Sequence, residues 1–256
     1  MRFSQRTAVV TGGGGSGIGM ETACMLAKEG ARVILVGRTE DKLSKAAAYI
    51  NEQTIQEKAV FFRADVTNEE EIQALAQYVK EAGSLDILVN NAGGSGQSKI
   101  LETSLENWDE VQSLNLRSVF LVSKVLGKLM IESSKEKRMD RAIVNVASLS
   151  GYKAGSHIPH YSAAKAGVIN FSKALALELA PYGIRVNSVS PGFAETPLTE
   201  EGLQNTQFAA AIEKNTALRR VGKAEEIAHV IAFAASEQAS YMTGSDLLVD
   251  GGWLIK

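Results

Sequence analysis

The chain has 256 residues, and its basic and acidic side chains nearly cancel, which leaves a formal net charge of −2. That balance argues against a nucleic-acid or anionic-membrane partner, since both select basic surfaces. No apolar run reaches the ~18 residues of a membrane-spanning helix, and the first residues lack the apolar stretch of a signal peptide. We therefore expect a cytoplasmic protein whose only cysteine, Cys24, is a packed thiol.

A glycine-rich loop follows the first predicted strand. Residues 7–10 form a short apolar run, residues 11–19 read Thr-Gly-Gly-Gly-Gly-Ser-Gly-Ile-Gly, and a helix is predicted over 20–28. Glycines let the backbone turn and approach a ligand closely, and a helix N-terminus offers free N–H groups. The order strand, glycine loop, helix therefore predicts a phosphate-binding loop; the competing interpretation is a flexible turn.

Apolar strand-like runs then alternate with helical periodicity along the chain. Further strands are predicted at 32–36, 59–63, 85–89, 142–146, 185–189 and 246–249, and helices at 40–53, 69–82, 108–132, 161–179 and 225–235. Such alternation predicts one α/β domain, residues 1–256, with a parallel sheet of about seven strands and helices on both faces. The charged segment 133–141 is expected to be an exposed connection. Residues 193–217 are predicted to cover a site as a loop or short helices.

Tyr161 and Lys165 lie four residues apart at the start of an apolar helix, so they share one helical face. An ammonium beside a phenol favours the phenolate, and we therefore predict that Lys165 lowers the pKa of Tyr161 from ~10. Ser148 follows a predicted strand and can offer its hydroxyl to the same oxygen. The pattern indicates proton exchange with an alcohol or carbonyl oxygen; an accidental surface pair is the alternative.

Three other features bear on the site. Asn115 falls inside a long predicted helix, where asparagine is unfavourable, and its alternatives are a solvent-facing or locally bonded side chain. His157 and His160 flank the tyrosine and can line a pocket or have no chemical role. The sequence has no His/Cys/Asp cluster at ligand spacing, so we expect no metal. It also lacks the Gly-x-Ser-x-Gly elbow that would indicate a serine hydrolase.

Taken together, these motifs resemble the short-chain dehydrogenase/reductase family in its classical form, over nearly the whole chain from Thr7 to Gly252. The matching features, in the order of the family, are the glycine loop, Asp65-Val66, Asn90-Asn91-Ala92-Gly93, Asn115, Ser148, Tyr161-x-x-x-Lys165, Pro191-Gly192 with Thr196, and Asp250-Gly251-Gly252. One departure is a glycine loop that is one residue longer than usual, with four residues between Gly12 and Gly17.

The resemblance implies a doubly wound, Rossmann-type domain that binds a nicotinamide dinucleotide, and a catalytic set of Asn115, Ser148, Tyr161 and Lys165. Tyr161 would be the general acid/base, Lys165 would tune it and hold the nicotinamide ribose, Ser148 would polarise the substrate oxygen, and Asn115 would hold a relay water. The implied cofactor contacts are Gly12, Ser16, Gly17, Ile18, Gly19, Arg38, Asp65, Val66, Asn91, Ala92, Gly93, Tyr161, Lys165, Pro191, Gly192 and Thr196. Within this set, the glycine loop would meet the pyrophosphate, Asp65 and Val66 the adenine, Asn91 the adenosine side, and Thr196 the nicotinamide end.

The end of the second strand favours NADP over NAD. NAD-selective enzymes usually place a carboxylate there for the ribose 2′-hydroxyl, whereas this strand ends at Gly37 and is followed by Arg38. A guanidinium can bind a 2′-phosphate through two hydrogen bonds. The alternative is that Arg38 points to solvent and that Glu40 or Asp41 offsets its charge.

The expected activity is interconversion of a secondary alcohol and a ketone on a small-molecule substrate, in a homotetramer. The alternatives are a non-catalytic dinucleotide-binding sensor or scaffold, and a reductase of C=C bonds. The pocket would be formed by residues 94–99, 150–159 and 193–216.

Overall fold

A seven-stranded parallel sheet organises the molecule, with strand order β3-β2-β1-β4-β5-β6-β9. The computed structural model describes residues 1–136, 140–155 and 157–256. The strands are β1 (Thr7–Thr11), β2 (Arg32–Gly37), β3 (Ala59–Arg63), β4 (Ile87–Asn90), β5 (Arg141–Val146), β6 (Ile184–Pro191), β7 (Ala194–Glu195), β8 (Gly222–Lys223) and β9 (Asp246–Val249).

Helices cover both faces of the sheet. They are α1 (Ile18–Lys28), α2 (Glu40–Glu52), α3 (Glu69–Glu81), α4 (Leu105–Gln112), α5 (Ser118–Glu136), α6 (Pro159–Leu179), α7 (Glu200–Gln204), α8 (Thr206–Asn215) and α9 (Ala224–Ala235). One core cluster joins the sheet to α1, α2 and α9, with Leu26, Leu43 and Ile231 fully buried. The other joins it to α3, α5 and α6. The predicted doubly wound α/β fold is confirmed.

The order of the strands places a crevice at one edge. The chain runs outward from β1 through β2 to β3, then returns to β4 on the other side of β1 and continues outward. The loops that follow β1 and β4 therefore separate at the carboxyl edge, where open α/β sheets bind their ligands. The glycine loop after β1 and Asn91-Ala92-Gly93 after β4 both lie at this point.

The structure departs from the sequence prediction most clearly around Asn115. The predicted helix over 108–132 starts earlier, ends later and is interrupted by a π-helical turn, Ser113–Arg117. A π turn shifts hydrogen bonds from i→i−4 to i→i−5, and such turns often lie at functional sites. Propensity does not reveal this insertion, because residues 113–117 include neither glycine nor proline, the residues that most often interrupt a helix.

The prediction of an exposed connection over 133–141 is wrong at both ends. Ser133 is buried within α5, where its hydroxyl donates to the carbonyl of Leu129, and Arg141 is buried in β5. Residues 137–139 lie outside the described part of the chain. Polar and charged residues can be buried when their hydrogen-bonding groups find partners, and charge alone suggested the wrong environment here.

Two short strands that the sequence did not predict lie near the two ends of residues 193–217, which we call the covering segment. β7 and β8 pair in parallel, with Ala194 opposite Gly222 and Glu195 opposite Lys223. Between them lie α7 and α8, so short helices are the correct interpretation of this stretch. Among the helices in the described ranges, none is both long and apolar enough to cross a membrane.

Candidate active site

Ser148, Tyr161 and Lys165 converge at the carboxyl edge of the sheet. Tyr161 and Lys165 lie in the first turns of α6, and both side chains are buried. Ser148 follows β5, and its hydroxyl is near enough to the phenol of Tyr161 to favour the ionised form of that phenol. The Nζ of Lys165 lies 5.5 Å from the centre of the Tyr161 ring and donates to the Val146 carbonyl at 2.8 Å. The phenol therefore has a hydroxyl and an ammonium as close neighbours.

The predicted direction of the Tyr161 pKa is wrong for this geometry. Burial raises the pKa of Tyr161, and the Ser148 hydroxyl lowers it by less. Burial also lowers the pKa of Lys165 to about 8. Burial removes both side chains from water, and the loss of solvation disfavours the charged form of each, the phenolate of Tyr161 and the ammonium of Lys165. The phenol is thus protonated at neutral pH.

Asn115 lies behind this group, fully buried in the π-helical turn. Its Nδ2 donates to the carbonyls of Gly94 at 2.7 Å and Val111 at 3.0 Å, and its Oδ1 accepts the N–H of Gly94 at 3.2 Å. The alternative of a solvent-facing side chain is therefore wrong, and the side chain is locally bonded. A Cβ on Gly93 would lie 2.8 Å from Asn115 Oδ1 and 3.5 Å from Lys165 Nζ. Only a residue without a side chain fits between them.

The glycine loop leaves an open backbone surface that suits a dinucleotide pyrophosphate. Gly17 stands at the N-cap of α1 with φ 116°, and the described residues provide no side-chain cap for that helix end. The first-turn N–H groups are therefore available to an anion. A Cβ on Gly19 would lie 2.6 Å from the Gly12 carbonyl oxygen, so the loop requires glycine there. Ile18 begins α1, and Ser16 lies exposed at the tip of the loop.

The extra loop residue is accommodated at that tip. A Cβ on Gly14 would lie 2.8 Å from Leu43 Cδ2, whereas one on Gly15 would meet nothing within 4 Å. The base of the loop is fixed from β4: Thr11 Oγ1 accepts the N–H groups of Asn91 and Ala92, each at 3.0 Å. The insertion therefore changes the exposed end of the loop and leaves its base in place.

Asn91 itself braces the glycine loop. Its Nδ2 donates to the Thr11 carbonyl at 3.0 Å and to the Gly12 carbonyl at 3.4 Å. Its implied contact with adenosine stays a prediction.

Asp65, Val66 and Arg38 lie at the ends of β3 and β2. Asp65 accepts the Thr67 N–H at 2.9 Å and the Thr67 hydroxyl at 2.7 Å. Burial works against ionisation of Asp65, but these hydrogen bonds and the charge of Arg38 outweigh it, so its pKa is lowered. Val66 is buried in the core. Arg38 is 71% exposed, with its Nη1 4.0 Å from Asp65 Oδ2.

The covering segment touches the glycine loop. A Cβ on Gly17 would lie 3.1 Å from Pro197 Cδ and 3.5 Å from Thr196 Cβ. Behind them, Pro191 ends β6, and a Cβ on Gly192 would lie 2.6 Å from the Asp250 Cα. The structure thus brings the predicted Pro191, Gly192 and Thr196 to the same crevice as the loop after β1.

Sequence reasoning missed an aromatic group at the far side of this crevice. The ring of Phe193 lies 5.9 Å from Phe208 and 4.8 Å from Trp253, in edge-to-face contacts. The Nζ of Lys153 lies 6.0 Å from the Trp253 ring. The three aromatic residues are visible in the sequence, but they lie far apart along the chain, so no local pattern predicts that their rings contact one another.

The two histidines near Tyr161 differ in environment. His160 is fully buried, and its ring nitrogens have no hydrogen-bond partner within the described residues, while its carbonyl accepts Gln112 Nε2 at 2.7 Å. His157 is exposed, and its carbonyl accepts the N–H of Ser98 at 2.8 Å. Across the described ranges, no group of three or more His, Cys, Asp or Glu residues could hold a metal ion.

Comparison with known proteins places this chain in one class. The family model described as enoyl-(acyl carrier protein) reductase matches residues 13–254. Cyclopentanol dehydrogenase of Comamonas testosteroni is 38% identical over 98% of each chain. The 3-oxoacyl-[acyl-carrier-protein] reductase FabG of Thermotoga maritima is 36% identical over 100% of each.

A solved structure agrees over the whole fold. A short-chain type dehydrogenase/reductase from Mycobacterium marinum superposes with a TM-score of 0.91 at 35% identity, covering 99% of this chain and 97% of that one. These matches define an NAD(P)-dependent oxidoreductase. The chain belongs to the short-chain dehydrogenase/reductase family.

Proposed function

We propose that this protein interconverts a secondary alcohol and a ketone on a small-molecule substrate, with Tyr161 as general acid/base. The observation that carries the proposal is the convergence of half-buried Ser148 with buried Tyr161 and Lys165, and with Asn115 packed against Gly93 behind them. A buried phenol, a neighbouring hydroxyl and a cation are the groups that proton transfer to a carbonyl oxygen needs.

The raised pKa of Tyr161 supports proton donation at neutral pH. In the reduction of a ketone, the Tyr161 phenol gives its proton to the carbonyl oxygen while the Ser148 hydroxyl donates a hydrogen bond to the same oxygen. Lys165 places positive charge near the phenolate that remains. In the reverse direction Tyr161 must first lose its proton, so alcohol oxidation should become faster as pH rises and ketone reduction slower.

The residues around the crevice fit a nicotinamide dinucleotide, which supplies or accepts the hydride when bound. Gly12, Ser16, Gly17, Ile18 and Gly19 would hold the pyrophosphate region, which accords with the uncapped N-terminus of α1. The remaining proposed contacts are Asp65, Val66, Asn91, Ala92 and Gly93 toward the adenosine, and Tyr161, Lys165, Pro191, Gly192 and Thr196 toward the nicotinamide.

We favour NADP as the cofactor. Arg38 is exposed, and its nearest carboxylate oxygen, on Asp65, lies at 4.0 Å, a separation that contributes little at a surface. The guanidinium can therefore turn toward a 2′-phosphate at small cost. Asp41, which could have offset its charge, pairs with Lys45 at 2.8 Å.

A C=C reductase is the second candidate, because the description of the matching family model names an enoyl substrate. The spacing of four between Tyr161 and Lys165 favours carbonyl chemistry, since related enoyl reductases usually space these residues differently. A non-catalytic sensor or scaffold is disfavoured because such a protein has no reason to keep the full set of Asn115, Ser148, Tyr161 and Lys165.

The wider setting of this activity is also proposed. We take residues 1–256 as one domain in the cytoplasm and expect a homotetramer. Exposed apolar side chains on α5, α6 and β9, namely Phe120, Leu177 and Leu248, are suited to contacts between subunits. Sedimentation of the purified protein measures this assembly directly.

A substrate screen tests the proposal. The purified protein is supplied with NADPH and a panel of ketones, 3-oxoacyl thioesters and enoyl thioesters, and loss of nicotinamide absorbance is followed. We expect turnover with carbonyl compounds and none with enoyl thioesters. Turnover confined to the enoyl compounds would assign C=C reduction instead, and cofactor binding without any turnover would favour the sensor.

A further inference from the structure

The turn that carries Ser148 fixes the direction of its hydroxyl. Ser148 caps a 3₁₀ turn, Leu149–Gly151, and its Oγ accepts the N–H of Ser150 at 3.1 Å. Because hydrogen bonds are directional, the position of the Oγ follows the position of this turn.

The inner side of the turn lies against α6. A Cβ on Gly151 would be 3.0 Å from the carbonyl carbon of Lys165 and 3.1 Å from the amide nitrogen of Ala166. The space that a side chain at this position would need is therefore already filled by the backbone of α6, so the turn packs directly on the helix and has little room to move toward it. Its remaining freedom is movement away from α6 and from Tyr161.

Tyr152, the residue after the turn, ties its outer side to the edge strand. The Tyr152 hydroxyl donates to Asp246 Oδ2 at 2.8 Å. The second oxygen of Asp246, Oδ1, accepts the hydroxyls of Ser188 and of Ser190, the latter at 3.0 Å. Asp246 and Ser188 are also register partners of β9 and β6, so this carboxylate is fixed to the sheet.

The phenol of Tyr152 is suited to be a permanent donor. Burial, the hydrogen bond to Asp246 and the charge of that carboxylate raise the pKa of Tyr152 to about 12. Hydrogen bonds with an ionised partner are stronger than neutral ones, although partial exposure of Tyr152 weakens this one.

We propose that Tyr152 and Asp246 are positioning residues that hold the Ser148 hydroxyl against Tyr161 by tying the Ser148 turn to β9. This inference rests on the proposed function, since it assigns Ser148 a role in the reaction. Tyr152 and Asp246 touch neither reacting group, and their effect passes through the turn.

The test compares Tyr152→Phe in two backgrounds, with a substrate that the screen identifies. In the otherwise unchanged protein, loss of the hydroxyl should lower kcat by about three- to tenfold, the range for one partly exposed hydrogen bond. The Kd for NADPH, from nicotinamide fluorescence, should stay within about twofold. In the Ser148→Ala background, the same substitution should change kcat by less than about twofold, because the hydroxyl that it positions is absent.

Tyr49→Phe is the matched control, since Tyr49 and Tyr152 are each 52% exposed and Tyr49 lies on α2. Asp246→Ala should reproduce the effect of Tyr152→Phe, and the double variant should be no worse than Asp246→Ala alone. A Tyr152→Phe protein with unchanged kcat would overturn the proposal, and so would equal losses in both backgrounds. An unchanged kcat in Ser148→Ala would instead show that Ser148 has no role in the reaction. Failure of the positioning proposal and failure of the role proposed for Ser148 therefore give different results.

Discussion

At the scale of single residues, the site depends on groups that are costly to bury. Within the described residues, Lys165 has one hydrogen bond, to the Val146 carbonyl, and burial lowers its pKa to about 8. The catalytic role proposed for Lys165 would thus come with a loss of stability, as expected where charge is placed for function.

Lys165→Met should stabilise the isolated protein while abolishing turnover. The pKa of Lys165 is about 8 in the folded state and 10.5 as the reference value. The unfolded state therefore binds more protons between these values, and stability rises with pH across that window. Below pH 8 the penalty is of order 3 kcal/mol, and loss of the bond to Val146 offsets about 1 kcal/mol.

Urea denaturation at pH 7 and at pH 10 measures this difference. The variant should be more stable by about 2 kcal/mol at pH 7, and the gap should shrink by pH 10. Lys173→Met, an exposed site on the same helix, is the control. A variant that is less stable at pH 7 would show that burial of Lys165 carries no such penalty.

Arg38→Ala should discriminate between the two cofactors. Its guanidinium is proposed to bind the 2′-phosphate, so the substitution should weaken NADP by about 1.5–3 kcal/mol, the range for a hydrogen bond to a charged group, and leave NAD nearly unchanged. Lys45→Ala removes one positive charge from the adjacent helix as a control. The preference for NADP would be refuted by a native protein whose kcat/KM is higher with NAD.

At the scale of elements, the covering segment differs from the rest of the fold. α7 buries none of its residues and α8 buries only Ile212, and both helices lie wholly within the described ranges. By contrast α6 buries residues along its whole length. Segments with few buried apolar contacts open at low free-energy cost.

Amide hydrogen exchange should therefore show weak protection over residues 198–215 in the protein alone. Protection should rise with NADPH and substrate, because Thr196 and Pro197 lie against Gly17 in the crevice where the cofactor is proposed to bind. The amides of α6 serve as the internal reference. Strong and equal protection of 198–215 with and without cofactor would contradict this account of the segment.

The elements also show how far sequence could predict the structure. The glycine loop, the alternating strands and helices, and the Tyr161/Lys165 pair depend on spacing within one short segment, and these predictions agree with the fold. The π-helical turn at Asn115 was not predictable, because it depends on packing against Gly93 and Gly94 from a distant loop. The Tyr152–Asp246 bond joins residues 94 apart, which no local pattern reveals.

The wrong prediction for the direction of the Tyr161 pKa shift has a different cause from the missed π-helical turn. A neighbouring ammonium was visible in the sequence, but the extent of burial was not. Desolvation decides the sign here, and it follows from the packing of the whole domain rather than from spacing.

At the scale of the whole molecule, the two edges of the sheet carry different kinds of groups. The carboxyl edge holds the candidate site, while the amino edge holds buried ion pairs. There Arg185 donates to Asp140 at 2.7 Å and 2.9 Å and to the carbonyls of Ala234 and Ser236. This guanidinium links β6, the end of α9 and the chain before β5.

Asp140→Asn should lower stability and leave chemistry intact. Arg185 is buried and Asp140 is part-buried, so the loss of one charge should cost at most the about 3–5 kcal/mol typical of a fully buried pair. Thermal denaturation should show a lower Tm with kcat unchanged below the transition. Asp41→Asn, which breaks an exposed pair with Lys45, should cost less than about 1 kcal/mol. A fall in kcat without a fall in Tm would connect the amino edge to catalysis and contradict the separation.

The most direct measurement of the central claim is the turnover of Tyr161→Phe. With a substrate that the screen identifies, kcat should fall by ~10²–10⁴-fold, the usual contribution of general acid/base catalysis. The Kd for NADPH should stay nearly unchanged, because the phenol acts in proton transfer. Retention of more than about a tenth of the original rate would show that Tyr161 is not the group that moves the proton.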